Sequence, residues 1–209
     1  MSLTMEDFGG RLASVWSELR PTTRGLVERA LQTPTNPPAP TRTNTANAPY
    51  DARADHELSR LLTALDERAG ETDASLEADK ENQLRHMADT CAAVLQEKSR
   101  SAEVFAQLVR RADNQRDYKR IDALADALAG FAASEICELA RSQDVVVRAL
   151  ANETLAQFPT STLISLLADP VDSEIARDAL RRQAVDYGSE EARQIVNVLS
   201  QSDLSGEDF

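Results

Sequence analysis

Aromatic residues are scarce in this sequence. One Trp, three Tyr and five Phe among 209 residues leave Leu, Ala, Val and Ile to supply the apolar surface, which suits packed helices better than a sheet. Glycine is scarce as well: seven residues are too few for a succession of tight hairpin turns. No run approaches about 18 apolar residues, so nothing reads as a membrane span. Glu6, Asp7 and Arg11 interrupt the N-terminus where a secretory signal needs an unbroken apolar run. These shortages predict an all-α, cytoplasmic protein, long enough to bury roughly 70% of its unfolded surface.

Chemistry-bearing residues are equally few. The two histidines, His56 and His86, are far from any three-ligand pattern, so neither a metal nor a cofactor is expected. Glycine-rich phosphate loops and a G-x-S-x-G elbow are both missing from the sequence, and no local signature of a hydrolase or nucleotide enzyme replaces them. Cys91 and Cys137 lie 46 positions apart with no C-x-x-C spacing. Each follows a helical apolar pattern, and both read as buried thiols.

Acid, by contrast, is plentiful. The 35 acidic residues against 23 basic ones give a formal charge of −12. Residues 1–53 carry +1 (six basic, five acidic), 54–113 carry −5 (eight, thirteen) and 114–209 carry −8 (nine, seventeen). Such a field opposes phosphate backbones, so nucleic acid is not the expected partner. One basic cluster stands out against it: "VRRADNQRDYKR", with Arg110, Arg111, Arg116, Lys119 and Arg120 around Tyr118. That cluster could grip a phosphate or an acidic peptide, or form an inter-helix turn neutralised by Asp113 and Asp117.

Residues 33–49, "TPTNPPAPTRTNTANAP", hold five of the eight prolines and no large apolar side chain. A disordered linker over 33–53 follows from that composition, spanning roughly 20–25 Å as a coil. Before it, residues 1–32 predict an amphipathic helical hairpin. Phe8, Leu12, Val15, Trp16 and Leu19 share one helix face, Thr4 and Asp7 resemble a capping box, and Pro21 restarts the chain into a stripe of Leu26, Val27, Ala30 and Leu31. Phe8, Leu12, Trp16 and Leu19 are expected to bind a partner or fold back on the chain, with residues 54–209 folding without them.

Residues 54–100 predict a helical cap region. Leu58, Leu61, Leu62 and Leu65 form one stripe ended by Gly70, and Leu84, Met87, Cys91, Val94 and Leu95 form another on a long helix over 73–99. Two heptads of that helix permit a homodimer without requiring one.

Self-similarity organises residues 101–200. Leu108, Ile136 and Ile164 recur every 28 residues, as do Ala112, Ala140 and Ala168. Behind them come the acids Asp117, Asp144 and Asp172, then the arginines Arg120, Arg148 and Arg177. Asp144 and Asp172 stand where N-caps are needed, and the acids with the arginines predict a structural ladder along the turns. Second helices continue with Leu124 and Leu128, Ala151 and Leu155, Leu180 and Ala184, and a partial copy follows at Ala192, Ile195 and Val196. The stretches "ICELARSQDVVVRALANETL" and "LISLLADPVDSEIAR" resemble short HEAT repeats. That resemblance implies a right-handed stack of helical hairpins, an α-solenoid, followed by an acidic flexible tail at 201–209. It also implies a noncatalytic scaffold binding a protein partner, and the basic cluster adds Arg116, Lys119 and Arg120 as candidate partner-binding residues. Some HEAT-like proteins are instead DNA alkylpurine glycosylases or bilin lyases, and these form the enzymatic alternative.

Overall fold

In the computed structural model, residues 5–32, 51–71 and 78–205 are described. Of the disordered linker predicted over 33–53, residues 33–50 lie outside the described residues, as do the capping residue Thr4 and the end of the tail at 206–209. The linker's last residues are ordered instead, Asp51 capping the helix that Ala52 and Arg53 open. The described residues are helical throughout, with no strand among them, as the paucity of aromatics and glycine predicts. The chain divides into two compact units, Met1–Val104 and Phe105–Phe209.

The first unit contains a 3-10 turn, Met5–Phe8, and the helices α1 (Gly10–Glu18), α2 (Pro21–Gln32), α3 (Ala52–Gly70) and α4 (Ala78–Lys98). Gly9 precedes α1 at φ 114°, a conformation that only glycine adopts without strain. Pro21 opens α2, where its fixed φ suits a helix start and its missing N–H costs nothing. Leu58, Leu61, Leu62 and Leu65 of α3 are all fully buried, and α3 packs along α4. Leu84, Met87, Ala88, Cys91, Ala92 and Leu95 present the complementary stripe, with Val94 half-buried at its margin. The face that could have served a coiled coil is thus occupied inside the unit. The Cys91 thiol donates to the Leu58 carbonyl at 3.3 Å. Gly70 is the last residue of α3 and not a left-handed cap.

The N-terminal hairpin packs within the first unit. Helix α1 packs on α3, and α2 packs on both α3 and α4. Phe8, Leu12 and Leu19 are buried with Val27, while Trp16, Leu26, Ala30 and Leu31 are half-buried. Burial of each of the four fully covered side chains contributes about 1.5–3 kcal/mol, so three of the four expected partner-binding residues belong to the core. Polar contacts also cross the linker, as Arg20 reaches Asp51 and Glu57 while Arg68 donates to the Phe8 carbonyl.

The second unit takes up α5 (Ala102–Asn114) from Phe105 onward, then α6 (Tyr118–Leu128), α7 (Ala133–Ala140), α8 (Val145–Ala156), α9 (Thr160–Leu166), α10 (Ser173–Val185) and α11 (Glu190–Ser205). Helix α7 packs on α8, and α9 on α10. Between successive hairpins α6 touches α8, α8 touches α10, and α7 touches α9. The six second-helix positions singled out by the repeat are all buried: Leu124, Leu128, Ala151, Leu155, Leu180 and Ala184. The first-helix positions agree only twice. Ile136 and Ala140 follow Leu108 and Ala112 into the core, but Ile164 is 42% exposed and Ala168 is exposed. Leu163 is buried instead. Helix α9 is only 7 residues long, and its inward face has slipped by one residue. Helix α11 continues through residue 205, into the segment expected to be tail.

Candidate functional site

Each unit uses its charged side chains differently, and the first uses them as clamps. Arg20 donates to both carboxylate oxygens of Asp51, at 3.0 and 2.7 Å, and through Nε to Glu57 at 2.8 Å. Buried Thr23 donates to the other Glu57 oxygen. Asp51 simultaneously caps α3 by accepting from the Ala54 N–H at 2.9 Å. The Arg20 guanidinium, and secondarily that N–H, hold the Asp51 carboxyl well below the usual carboxylate range, and Asp51 in turn raises Arg20. Arg11–Glu67 at 2.7 Å and Arg60–Glu18 at 2.9 Å join α1 to α3. A cleft of about 310 Å³ lies between Phe8–Leu12 and the Ala64–Glu71 end of α3. Its arginines, Arg11 and Arg68, already pair with Glu67 and Glu71.

In the second unit the expected ladder is present in part but with other rungs. Arg110 Nε lies 4.0 Å from Asp144, and Arg141 Nη1 lies 2.7 Å from Asp172. Each pair joins the end of one first helix to the start of the next hairpin's second helix, which places successive turns side by side. The arginines predicted for this role do other things. Arg148 donates to the Ser142 carbonyl of its own turn at 2.7 Å. Arg177 sits with Arg181 in a small crevice against Val196, Leu199 and Ser200. Arg120 belongs to a different position altogether. It stands four residues before buried Leu124, as buried Val147 stands before Ala151 and buried Ala176 before Leu180. Ile121, not Arg120, is therefore the counterpart of Arg148 and Arg177.

The acids also divide their roles. Asp117 accepts from the Arg120 N–H at 3.1 Å, and Asp144 accepts from Val146 and Val147 N–H at 2.9 and 3.1 Å. Both cap helices, which the sequence suggests for Asp144 but not for Asp117. Asp172 precedes α10 yet makes no side-chain cap. Its carboxylate is nearly inaccessible and is held by Arg141.

The first turn of this unit has an unusual backbone. Arg116 adopts φ 56°, the one positive φ outside glycine among the described residues. Its N–H bonds to the Asp113 carbonyl and that of Asp117 to the Ala112 carbonyl, both at 2.9 Å. This is a Schellman ending of α5 with an arginine where glycine is the usual residue. The alternative of an internally neutralised turn is not what forms: among the described residues, no carboxylate lies within salt-bridge distance of Arg116, Lys119 or Arg120. Arg111, by contrast, is buried, with Nη1 3.4 Å from Gln115.

Exposed apolar side chains gather in the same unit. Tyr118, Val145, Ile164, Val171, Val185, Tyr187 and Val198 are the exposed large hydrophobics among the described residues, and all belong to it. Tyr118 and Val145 open α6 and α8 directly after their capping acids, and Val171 directly precedes Asp172. They are 65%, 68% and 66% exposed. Helical periodicity does not mark them as a set, because it marks buried positions and these three are exposed.

Elsewhere, Tyr187 donates to Glu153, which holds the Glu153 carboxyl below its ordinary value and pushes the Tyr187 hydroxyl up. Arg182 approaches Glu153 at 3.4 Å, so this cluster ties α10 to α8. Buried Gln183 is satisfied by the Phe158 carbonyl at 2.5 Å and the Thr160 hydroxyl at 3.3 Å. Cys91 and Cys137 are buried and in no disulfide. Burial, and secondarily Asp172, push the Cys137 thiol up to about 11, so it is a neutral thiol near pH 7. His56 and His86 are exposed, and no metal-ligating cluster occurs among the described residues. No helix is long and apolar enough to cross a membrane among them.

No family model matches the chain, and no significant match is found among curated proteins or solved structures.

Proposed function

We propose that this chain is a noncatalytic protein-binding module, its second unit a short stack of HEAT-like hairpins that presents a row of turns to a protein partner. One observation carries the reading: Tyr118, Val145 and Val171, each about two-thirds exposed, stand directly beside Asp117, Asp144 and Asp172, the acids at the starts of α6, α8 and α10, the first two after the acid and the third before it. Exposed apolar side chains scattered singly need no explanation, but one beside each of three successive helix-opening acids supports an interaction surface. The Arg110–Asp144 and Arg141–Asp172 pairs hold those turns adjacent, so the surface is preorganised and a partner need not order it on binding. The charge of −8 over residues 114–209 weighs against nucleic acid as that partner.

Photoreactive benzoylphenylalanine placed at Val145, and separately at Val185, in the full chain tests this reading in native lysate. A discrete protein adduct at Val145 is expected. Adducts at Val185 alone would move the surface to another face, and the absence of protein adducts at both positions would end the reading.

A further inference from the structure

We infer that the first turn of the second unit receives an acidic peptide segment carrying an apolar side chain, held by Arg116, Lys119 and Arg120 around Tyr118. This rests on the protein-binding reading above and specifies the chemistry of the partner.

The charge distribution is the first argument. Residues 114–209 hold nine basic residues against seventeen acidic ones, yet three of the nine fall within 116–120. Several arginines elsewhere in the unit face carboxylates: Arg141 faces Asp172, Arg182 faces Glu153 and Arg193 faces Glu190, while Arg148 is held by the Ser142 carbonyl. Arg116, Lys119 and Arg120 face none among the described residues. The nearest acid in sequence, Asp117, spends an oxygen on capping α6. A compact group of uncompensated cations is complementary to carboxylates from outside, and guanidinium groups bind them with paired, geometrically specific hydrogen bonds.

The backbone supplies a second argument. Glycine would fill the left-handed position of this turn with less strain, but the chain places Arg116 there, at φ 56°. A residue kept at a conformational cost without an internal partner has its use outside the fold. Between the cations Tyr118 is 65% exposed, and Val145 is 68% exposed at the next turn. An exposed aromatic side chain flanked in sequence by cations suits a ligand that is both apolar and acidic. A polyphosphate chain would match the cations but offers no apolar group to Tyr118.

Fluorescence anisotropy with the full chain tests this, using as probe a fluorescein-labelled peptide of glutamate pairs separated by leucines. Wild-type protein should bind it with an affinity that falls as salt rises. Lys119→Glu combined with Arg116→Glu should abolish binding, and Tyr118→Ala should weaken it about tenfold. Arg116→Gly is the telling variant. It should melt at the same or a higher temperature while binding the peptide more weakly, a split that a purely structural arginine would not produce. The inference is overturned if Arg116→Gly binds like wild type, if wild-type protein ignores the peptide, or if a duplex oligonucleotide binds more tightly than the peptide does. A protein adduct at Val145 together with any of those results sinks the acidic-segment inference alone and leaves the protein-binding reading intact.

Discussion

The two units of this chain have opposite economies of charge and apolar surface. In Met1–Val104 the described arginines at 11, 20, 60 and 68 are drawn into pairs with acids, and no large hydrophobic residue among those described is exposed. Among the described residues of Phe105–Phe209, three neighbouring cations face no acid and seven large hydrophobics are exposed. The described residues of both units are helical and both units are rich in Leu and Ala, so these features do not separate them. What separates them is how each closes its apolar faces. In the first, α1 and α2 cover α3 and α4 from outside. In the second, α7 packs on α8 and α9 on α10, with α6, α8 and α10 touching in succession.

The sharpest way to break this comparison is to remove the cover. Deleting residues 1–32 should expose apolar surface on α3 and α4 and cost the first unit its cooperative unfolding. Increased binding of a hydrophobic dye and a broadened thermal transition are the expected signs. A truncated chain that melts as sharply and as high as the full one would show the hairpin to be a separable element.

Single core truncations come next. Leu62→Ala in the first unit and Leu155→Ala in the second, both fully buried, should each cost about 2–5 kcal/mol. Urea unfolding by far-ultraviolet circular dichroism measures both. Trp16, the sole tryptophan, reports on the first unit, so the Leu62→Ala loss should also lower its fluorescence midpoint. A loss below about 1 kcal/mol at either site would show a core that collapses around the missing side chain.

The ladder gives a smaller and more selective contrast. Arg141→Met leaves the Asp172 carboxylate nearly inaccessible and without its cation, and should cost about 1–2 kcal/mol, allowing for the part-exposed arginine. Arg110→Met breaks a longer, more exposed pair and should stay within about 0.5 kcal/mol. Equal costs for the two would mean that the rungs do not differ as their geometry indicates.

The smallest expected effect is visible mainly as pH dependence. Asp51 has its pKa lowered in the fold, so its contribution is present above the unfolded carboxylate value of about 4 and lost as pH falls through the lower folded value. Asp51→Asn should therefore melt below wild type by a constant margin near neutrality, with the margin closing in acid. A margin that widens below about pH 4 would reverse the sign and remove Arg20 as its cause.

Much of the helical plan was legible before any coordinates. Pro21 marked the start of α2, the Leu58–Leu65 stripe marked the buried face of α3, and the second-helix positions Leu124, Ala151 and Leu180 were found by period alone. Burial follows from apolar side chains recurring on one face, and that is a local property of sequence. The site was legible only in fragments. Arg116, Lys119 and Arg120 stood out as a basic run, but Tyr118, Val145 and Val171 drew no notice as a set. Whether an arginine at 116 is neutralised depends on which carboxylates come within reach, and no sequence spacing states that.

The sequence by itself determined that this protein is helical, where its apolar stripes lie, and that a 28-residue recurrence runs through its second half, because these rest on composition and periodicity. The tertiary structure alone decided who pairs with whom. Arg110 and Arg141 took the rungs expected of Arg148 and Arg177, and Leu163 took the core place expected of Ile164. A shift of one residue turns a helical side chain by about 100°. At that scale the packing of neighbouring helices, and not the repeat, sets which side chain faces inward and which is left to meet a partner.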